Sequence, residues 1–169
     1  MEKAYYLIVI GISGSGKTSI SKMLAAQLKI DFIEGDDLHP QENIDKMKNG
    51  IALTDADRLP WLSIIKEKLL TKIIRQENFV LSCSALKVSY RDILREAGNI
   101  KFLFLKVGEE EVSERLEHRK GHFMPKSLIH SQIETLEIPS NKEKDIIIID
   151  ASKQPQDVLK ECVQSLNKF

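Results

Sequence analysis

A chain of 169 residues is short enough to favour one domain, which we expect to span residues 1–169. Lysine plus arginine and aspartate plus glutamate number 25 each, so the overall charge gives no support for a nucleic-acid partner or an anionic membrane surface. The two cysteines, Cys83 and Cys162, fit neither a disulfide framework nor paired zinc ligands. The first apolar run, Ala4 to Ile10, is too short for a bilayer and has no basic leader, so we expect a cytoplasmic protein.

Short apolar runs alternate with amphipathic stretches along the chain. The run from Tyr5 to Ile10 is continuous, β-rich and ends at Gly11, as a strand buried on both faces does. Five such runs separated by helical spacing predict a parallel α/β sheet with helices on both faces. The predicted strands are 5–10, 30–33, 79–83, 101–107 and 145–149, and the predicted helices are 18–28, 41–48, 62–74 (with a helix start at Thr54), 89–97, 109–119, 126–136 and 155–166.

The segment between the first strand and the first helix matches the phosphate-loop pattern GxxxxGK[ST] in full. Glycines let the backbone turn with its N–H groups inward, and the following helix N-terminus adds positive potential for an anion. Lys17 can reach the β- and γ-phosphates of ATP, and the hydroxyl of Thr18 can bind Mg²⁺. The predicted nucleotide-binding residues here are Gly11, Ile12, Ser13, Gly14, Ser15, Gly16, Lys17 and Thr18.

Other segments favour a small-molecule kinase among phosphate-loop proteins. A GTPase needs Asn-Lys-x-Asp, whereas the nearest match, Asn141-Lys142-Glu143-Lys144, has lysine in place of the aspartate. Motor-type ATPases usually end a later strand with an acid that holds Mg²⁺. The third predicted strand ends instead in Ser82-Cys83-Ser84, so no such acid is expected there.

A kinase also needs a carboxylate near the acceptor hydroxyl and cations around the transferred phosphoryl group. Asp36 and Asp37 follow the second predicted strand, although a turn role is the simpler alternative for either. Arg115 and Arg119 are four residues apart and share a helix face, where they could equally pair with neighbouring glutamates in solvent. Gly121 follows, so we expect a mobile lid at about 109–137.

Several further segments stand in order along nearly the whole chain. They are Gly35-Asp36-Asp37-Leu38-His39-Pro40, Asp57-Arg58-Leu59-Pro60-Trp61-Leu62, Cys83-Ser84-Ala85-Leu86-Lys87 with Tyr90-Arg91-Asp92, Arg119 to Met124, and Ser131-Gln132 through Leu136-Glu137. On these segments the sequence resembles the gluconokinase family of phosphate-loop kinases. Their order and spacing together are more specific than any one block.

The resemblance implies a nucleoside-monophosphate-kinase type of sheet and transfer of the ATP γ-phosphoryl group to the 6-hydroxyl of gluconate. It implies that Asp36 orients or deprotonates that hydroxyl, and that Arg115 and Arg119 close over the nucleotide, with Arg119 and Lys17 acting in catalysis. It also implies a possible homodimer. The residues implied to bind gluconate are Asp36, His39, Arg58, Lys87, Arg91, His122 and Gln132.

Two other functions compete with this interpretation. A shikimate-type or other small-molecule kinase would share the architecture, but the acidic-His-Pro loop and the Asp-Arg-x-Pro-Trp-Leu block argue against it. A catalytically silent nucleotide-binding module would not need Lys17, Thr18 and Asp36 together, and all three are present.

Overall fold

A computed structural model describes residues 2–118 and 126–169 of the protein. Two of the predicted site residues, Arg119 and His122, lie outside these described residues, as does part of the expected lid. The strands are β1 (Tyr6–Ile10), β2 (Asp31–Glu34), β3 (Phe79–Ser82), β4 (Lys101–Lys106) and β5 (Ile146–Asp150). The helices are α1 (Lys17–Leu28), α2 (Gln41–Lys48), α3 (Asp55–Ile74), α4 (Val88–Arg95), α5 (Glu109–Glu117), α6 (Lys126–Thr135) and α7 (Pro155–Ser165), with short 3₁₀ helices at Gly35–Leu38 and Leu166–Lys168.

The five strands form one sheet in the order β2-β3-β1-β4-β5, and every pair is parallel. The predicted parallel α/β sheet is therefore confirmed. The register places Glu34 beside Ser82 and places Ser82 beside Val9. The ends of β2 and β3 thus meet next to the phosphate loop that follows β1, at the carboxyl edge where ligands bind in such sheets.

Each face of the sheet is covered by its own apolar core. On one face, α3 and α4 pack Trp61, Leu69 and Leu94 against the sheet. On the other face, α1 and α7 contribute Leu24 and Cys162. A smaller third cluster joins the phosphate loop to α5 and α6, and its buried members are Ile12, Leu86, Val112 and Ile129. This third cluster packs α5 and α6 against the phosphate loop.

Helix α3 begins with a capping box, in which Thr54 accepts a hydrogen bond from the Asp57 N–H and Asp57 accepts one from the Thr54 N–H. This bears out the predicted helix start. The helix then runs without a break to Ile74, so Pro60 lies inside it rather than in its first turn. Proline has no N–H, so one intrahelical bond is missing there. Burial of the next residue, Trp61, offsets that loss.

No helix in the described ranges is both long enough and apolar enough to cross a membrane.

Both cysteines are buried thiols, and burial raises the pKa of Cys83 to about 12 and that of Cys162 to about 12. A thiol with so high a pKa carries almost no thiolate at neutral pH. Neither cysteine can therefore act as a nucleophile.

Candidate active site

The phosphate loop connects the end of β1 to the start of α1, as its sequence predicts. Its backbone has positive φ at Gly14 (82°) and Gly16 (96°), a conformation that favours glycine. A Cβ on Gly14 would also lie 2.9 Å from Val112 Cγ1 on α5. The loop is thus held against α5, and the Lys17 ammonium donates a hydrogen bond to the Ile12 carbonyl at 2.8 Å.

An acidic residue that the sequence analysis did not select lies beside Thr18. The Thr18 hydroxyl donates to a Glu34 carboxylate oxygen at 2.6 Å, and the Ser82 hydroxyl donates to the other oxygen at 3.1 Å. Glu34 is the last residue of β2. The sequence does hold a signal for it, because an acid ends a predicted strand, but that strand is the second rather than the third.

Asp36 is brought into the site by a close approach of two strand ends. Gly35 lies so near β3 that a Cβ on it would be 2.3 Å from the Ser82 carbonyl oxygen. Only glycine fits without a shift, and the chain then turns into the 3₁₀ helix that carries Asp36. The Asp36 N–H donates to Glu34 at 3.3 Å. The turn therefore places Asp36 next to the phosphate loop.

A cavity opens at this point, which we call the Asp36 cavity. It brings together side chains from the phosphate loop, the 3₁₀ helix, α3 and α6, so that cations, a carboxylate and neutral hydrogen-bonding groups face one space. Its polar and aromatic lining residues are Ser13, Lys17, Asp36, His39, Arg58, Trp61, Ser84, Ser131 and Gln132, and its apolar lining residues are Met47, Ala52, Leu53 and Leu128. Asp37 does not line it, so the structure distinguishes the two adjacent aspartates.

Arg58 is a nearly buried cation in the wall of this cavity, with 8 % exposure. Its Nη1 donates to the Tyr90 hydroxyl at 3.2 Å, and the guanidinium lies 5.5 Å from the Tyr90 ring centroid. No carboxylate in residues 2–118 or 126–169 forms an ion pair with it. A buried charge is ordinarily paired, so Arg58 is suited to bind an anionic group of a ligand.

Lys87 lies near enough to Arg58 to feel its charge but does not line the Asp36 cavity. Its ammonium forms an ion pair with Asp55 at 2.9 Å, and Tyr90 donates a short hydrogen bond to the same carboxylate. The Tyr90 hydrogen bond, followed by the one from Lys87, lowers the pKa of Asp55. Lys87 is therefore linked to Arg58 by hydrogen bonds through Asp55 and Tyr90. Its implied contact with a ligand remains a prediction that this geometry does not favour.

His39 lies flat against Trp61, with ring centroids 4.0 Å apart and an angle of 13° between the planes. The Trp61 indole N–H donates to the Gly35 carbonyl at 2.8 Å. Burial, followed by the charge of Arg58, lowers the pKa of His39 to about 4. The imidazole is thus neutral at physiological pH. Trp61 is itself a buried core residue, so it packs in the core and also orients His39.

Gln132, on α6, lies directly over the phosphate loop. Its side-chain oxygen accepts a hydrogen bond from the Ser13 N–H at 2.7 Å. Since loop N–H groups are the donors that bind phosphate oxygens, this contact places Gln132 beside the predicted phosphate-binding groups.

Arg91 occupies a different place from the one implied by the family resemblance. It is fully buried (0 % exposed) and forms a two-pronged ion pair with Glu143, at 2.8 Å and 2.7 Å. It also donates to the carbonyls of Ala85, Leu86 and Glu137. Because all of these partners lie within the protein and Arg91 does not line the Asp36 cavity, this geometry favours a structural role, and the implied contact of Arg91 with a ligand stays a prediction.

A second cavity, which we call the Arg115 cavity, opens on the other side of the phosphate loop. Arg115 donates to Glu111 at 2.7 Å and to the Ala151 carbonyl, and it lies 3.3 Å from the Gly14 carbonyl oxygen. The loop after β5 forms the opposite wall. The residues that line this cavity include Gly14, Ser15, Gly16, Arg115, His118, Ser152, Lys153, Gln154 and Pro155.

Comparisons with known proteins agree with this architecture. The family model described as shikimate kinase matches residues 13–167. A thermosensitive gluconokinase of Escherichia coli (strain K12) is 45% identical over 160 residues, which is 94% of this chain and 86% of that protein. A gluconokinase of Gluconobacter oxydans (strain 621H) is 44% identical over 96% of this chain and 91% of its own.

Solved structures give the same result. A gluconokinase from Sinorhizobium meliloti 1021 superposes with a TM-score of 0.88 at 44% identity, covering 98% of this chain and 94% of its own. A sugar kinase from Janibacter sp. HTCC2649 superposes with a TM-score of 0.92 at 37% identity, covering 98% of this chain and 95% of its own. By sequence and by fold, the chain belongs to the gluconokinase family of phosphate-loop kinases.

Proposed function

We propose that the protein transfers the γ-phosphoryl group of ATP to the 6-hydroxyl of D-gluconate, giving 6-phospho-D-gluconate and ADP. One observation carries the proposal, namely that two cavities meet at the phosphate loop. The Arg115 cavity suits the nucleotide, and the Asp36 cavity offers a buried arginine, a carboxylate and neutral hydrogen-bonding groups to an acidic polyol. The names of the related proteins, gluconokinases in several organisms, support the same acceptor.

The groups in the Asp36 cavity match gluconate one by one. Arg58 can bind both oxygens of a carboxylate with its planar fork. His39 and Gln132 can form hydrogen bonds with the hydroxyls along the chain. Asp36 accepts a hydrogen bond from the terminal hydroxyl and turns its oxygen towards the phosphoryl group. The acceptor is thereby held at both ends.

In the reaction, the acceptor oxygen forms a bond to the γ-phosphorus while the bond between that phosphorus and the β–γ bridging oxygen breaks. The hydroxyl proton passes to Asp36. Lys17 and the loop N–H groups stabilise the charge on the phosphoryl oxygens, and because the transition state is loose, positioning contributes more than base strength. Arg115, and Arg119 beyond the described residues, would cover the nucleotide, while His122 would contact the acceptor.

The chemistry of the donors near Thr18 fits Mg²⁺, which prefers a few oxygen ligands together with water and phosphate. Thr18 would hold the ion directly, and Glu34 would accept hydrogen bonds from its bound water. When bound, the ion neutralises charge on the β- and γ-phosphates. The Thr18–Glu34 hydrogen bond orients the hydroxyl oxygen for binding the ion.

The homodimer and the cytoplasmic location remain predictions.

Replacing Glu34 with glutamine should raise the Mg²⁺ concentration needed for half-maximal activity by about 10-fold, because outer-shell partners of a metal ligand contribute about 10–100-fold in affinity. A Mg²⁺ titration at saturating ATP and gluconate measures the shift. Glu42→Gln, an exposed change on α2, is the matched control and should leave the titration unchanged. Identical Mg²⁺ curves for Glu34→Gln and the unmodified protein would remove Glu34 from the metal site.

Replacing Arg58 with leucine should raise the KM for gluconate by about 10- to 100-fold, since a hydrogen bond to a charged group contributes about 1.5–3 kcal/mol. The KM for ATP should change little, because Arg58 lines the Asp36 cavity and not the Arg115 cavity that is proposed to bind the nucleotide. Arg75→Leu, an exposed change at the end of the same helix, controls for loss of a positive charge. Equal increases in both KM values would place Arg58 outside the acceptor site.

Product analysis tests the chemistry itself. Incubation with ATP, Mg²⁺ and gluconate, followed by ³¹P and ¹³C NMR, should give one phosphomonoester whose phosphorus couples to carbon 6. Phosphorus on any other carbon would contradict the assigned orientation, in which Arg58 holds the carboxylate and Asp36 the far end. Shikimate in place of gluconate should yield no phosphomonoester.

A further inference from the structure

We infer that Asn43 fixes the tautomer of His39, so that His39 presents an N–H donor, and no acceptor, to the ligand in the Asp36 cavity. The acceptor-binding part of this inference rests on the proposed function. Asn43 is a buried residue of α2, with 4 % exposure, and does not itself line the cavity. It is therefore a positioning residue that acts through His39.

The orientation of the Asn43 amide follows from its two contacts. Its Nδ2 lies 2.9 Å from the backbone carbonyl oxygen of Asp57 and 3.2 Å from Nδ1 of His39. A backbone carbonyl can only accept a hydrogen bond, so the amide atom that contacts it must be the nitrogen. That nitrogen has two hydrogens. One goes to Asp57, and the other points at His39.

The second hydrogen determines the state of the imidazole. Nδ1 of His39 accepts it and so carries no proton of its own. A neutral imidazole has one N–H, which must then be on Nε2. No protein atom in the described part of the chain binds Nε2, and His39 lines the Asp36 cavity. The donor is thus available to a ligand oxygen.

Neighbouring elements hold this arrangement in place. The Asp57 carbonyl belongs to the capped first turn of α3, and the Lys46–Asp57 ion pair at 2.8 Å ties α2 to the same turn. Trp61 fixes the plane of the His39 ring from one face. Plane and edge are therefore set by different residues, which prevents a ring flip that would exchange the two nitrogens.

The chemical consequence is a division of labour in the cavity. His39 can donate to a hydroxyl or carboxylate oxygen, but it cannot accept the proton that leaves during transfer. That leaves Asp36 as the proton acceptor. Burial, followed by the charge of Arg58, disfavours an imidazolium, and the lowered pKa of His39, about 4, agrees with a neutral ring.

The pH dependence follows with its sign. An unfolded chain would bind a proton on this histidine near its ordinary pKa, whereas the folded protein binds one only near pH 4. The contribution of neutral His39 to stability is therefore complete above about pH 6.5 and is lost as the pH falls towards 4. Between pH 6.5 and 8 the donor on Nε2 should be constant.

The test is a two-bond ¹H–¹⁵N correlation spectrum of histidine-labelled protein at pH 7.5 without ligand, with His39 assigned by its absence in His39→Gln. The spectrum should show His39 as the Nε2–H tautomer. Asn43→Asp replaces the donor by an acceptor, so the proton should move to Nδ1 or both nitrogens should be protonated. Asn49→Asp, the same change at an exposed amide that also donates to a backbone carbonyl, should leave His39 unchanged.

Kinetics complete the test. Asn43→Asp should raise the KM for gluconate by about 10-fold, as loss of one hydrogen bond does, with the KM for ATP unchanged. The uncharged variant Asn43→Ala should show mixed tautomers and a smaller increase, which separates the tautomer effect from added charge. An Nδ1–H tautomer in the unmodified protein would overturn the inference, and so would a shifted tautomer with unchanged KM.

The spectrum needs no acceptor, and the tautomer is measured on the unmodified protein, with the His39→Gln variant used only to assign the signal. Failure of the proposed function is therefore distinguishable. If the Nε2–H tautomer is found but gluconate is not phosphorylated, the assignment of Asn43 stands and the acceptor is wrong.

Discussion

Replacement of Lys17 by alanine should lower kcat by at least about 10²-fold, because removal of one preorganised charge that stabilises the transition state costs about that much. Lys17 is the cation common to the phosphate loop and the Asp36 cavity. Its ammonium lies 2.8 Å from the Ile12 carbonyl, so it is already held over the loop before a phosphate arrives. Little reorganisation is then needed when negative charge develops on the phosphoryl oxygens. Steady-state ADP release at saturating ATP and gluconate measures the effect.

Lys22→Ala is the matched control, since Lys22 lies on the exposed face of the same helix. It should retain nearly full activity. Thermal unfolding of the ligand-free Lys17→Ala variant should be close to that of the unmodified protein, which would separate a catalytic effect from a folding defect. Near-normal turnover of Lys17→Ala would refute the assignment of the phosphate loop as the catalytic centre.

Replacement of Arg91 by methionine should lower the free energy of unfolding by about 3–5 kcal/mol, because it leaves a buried carboxylate without its main partner. The side chain of Glu143 is itself 8 % exposed and binds Arg91 and Arg95. Burial raises its pKa, but the hydrogen bonds from Arg91 and then Arg95 outweigh burial, and the net effect is a lowered pKa. Since Arg95, which lies 2.6 Å from Glu143, is unchanged in the variant, we expect the lower end of that range. Urea denaturation measures the change.

Lys66→Met provides the control, because Lys66 pairs at 2.9 Å with Glu96, whose side chain is 62% exposed. Loss of such a surface pair should cost no more than about 1 kcal/mol. A double-mutant cycle with Glu143→Gln should show strong coupling with Arg91→Met. If Arg91→Met instead raised the KM for gluconate without loss of stability, Arg91 would contact the ligand, as the family resemblance implies.

The architecture was predictable because its signals are local. The continuous apolar runs at β1 and β3 and the glycine-rich loop before Lys17 are each recognised from adjacent residues alone. Thr54 and Asp57 likewise specify a helix start without help from the rest of the chain. Pro60 departs from the local preference, since proline is favoured in the first turn of a helix whereas here it lies inside α3, next to the buried Trp61.

The site was predictable only in part, because several of its contacts depend on which strands are neighbours. Glu34 binds Thr18, which is 16 residues away in the sequence. This contact depends on the strand order, in which β3 lies between β2 and β1. Arg91 matched the family pattern, but the sequence does not reveal that Glu143, 52 residues away, buries it. The role of Asn43 depends on two contacts around one amide. Each of these contacts depends on the tertiary structure, and no periodic pattern in the sequence predicts it.

A coupled ADP-release assay with Mg²⁺-ATP and a panel of acceptors tests the central claim most directly. The panel contains gluconate, idonate, other aldonates, shikimate, AMP and a blank without acceptor. We predict strong turnover with gluconate and background rates with shikimate, AMP and the blank. Turnover with shikimate or AMP but not gluconate would contradict the assignment of the Asp36 cavity as a gluconate site. ATP binding without turnover on any acceptor would contradict the claim that the protein is an active kinase.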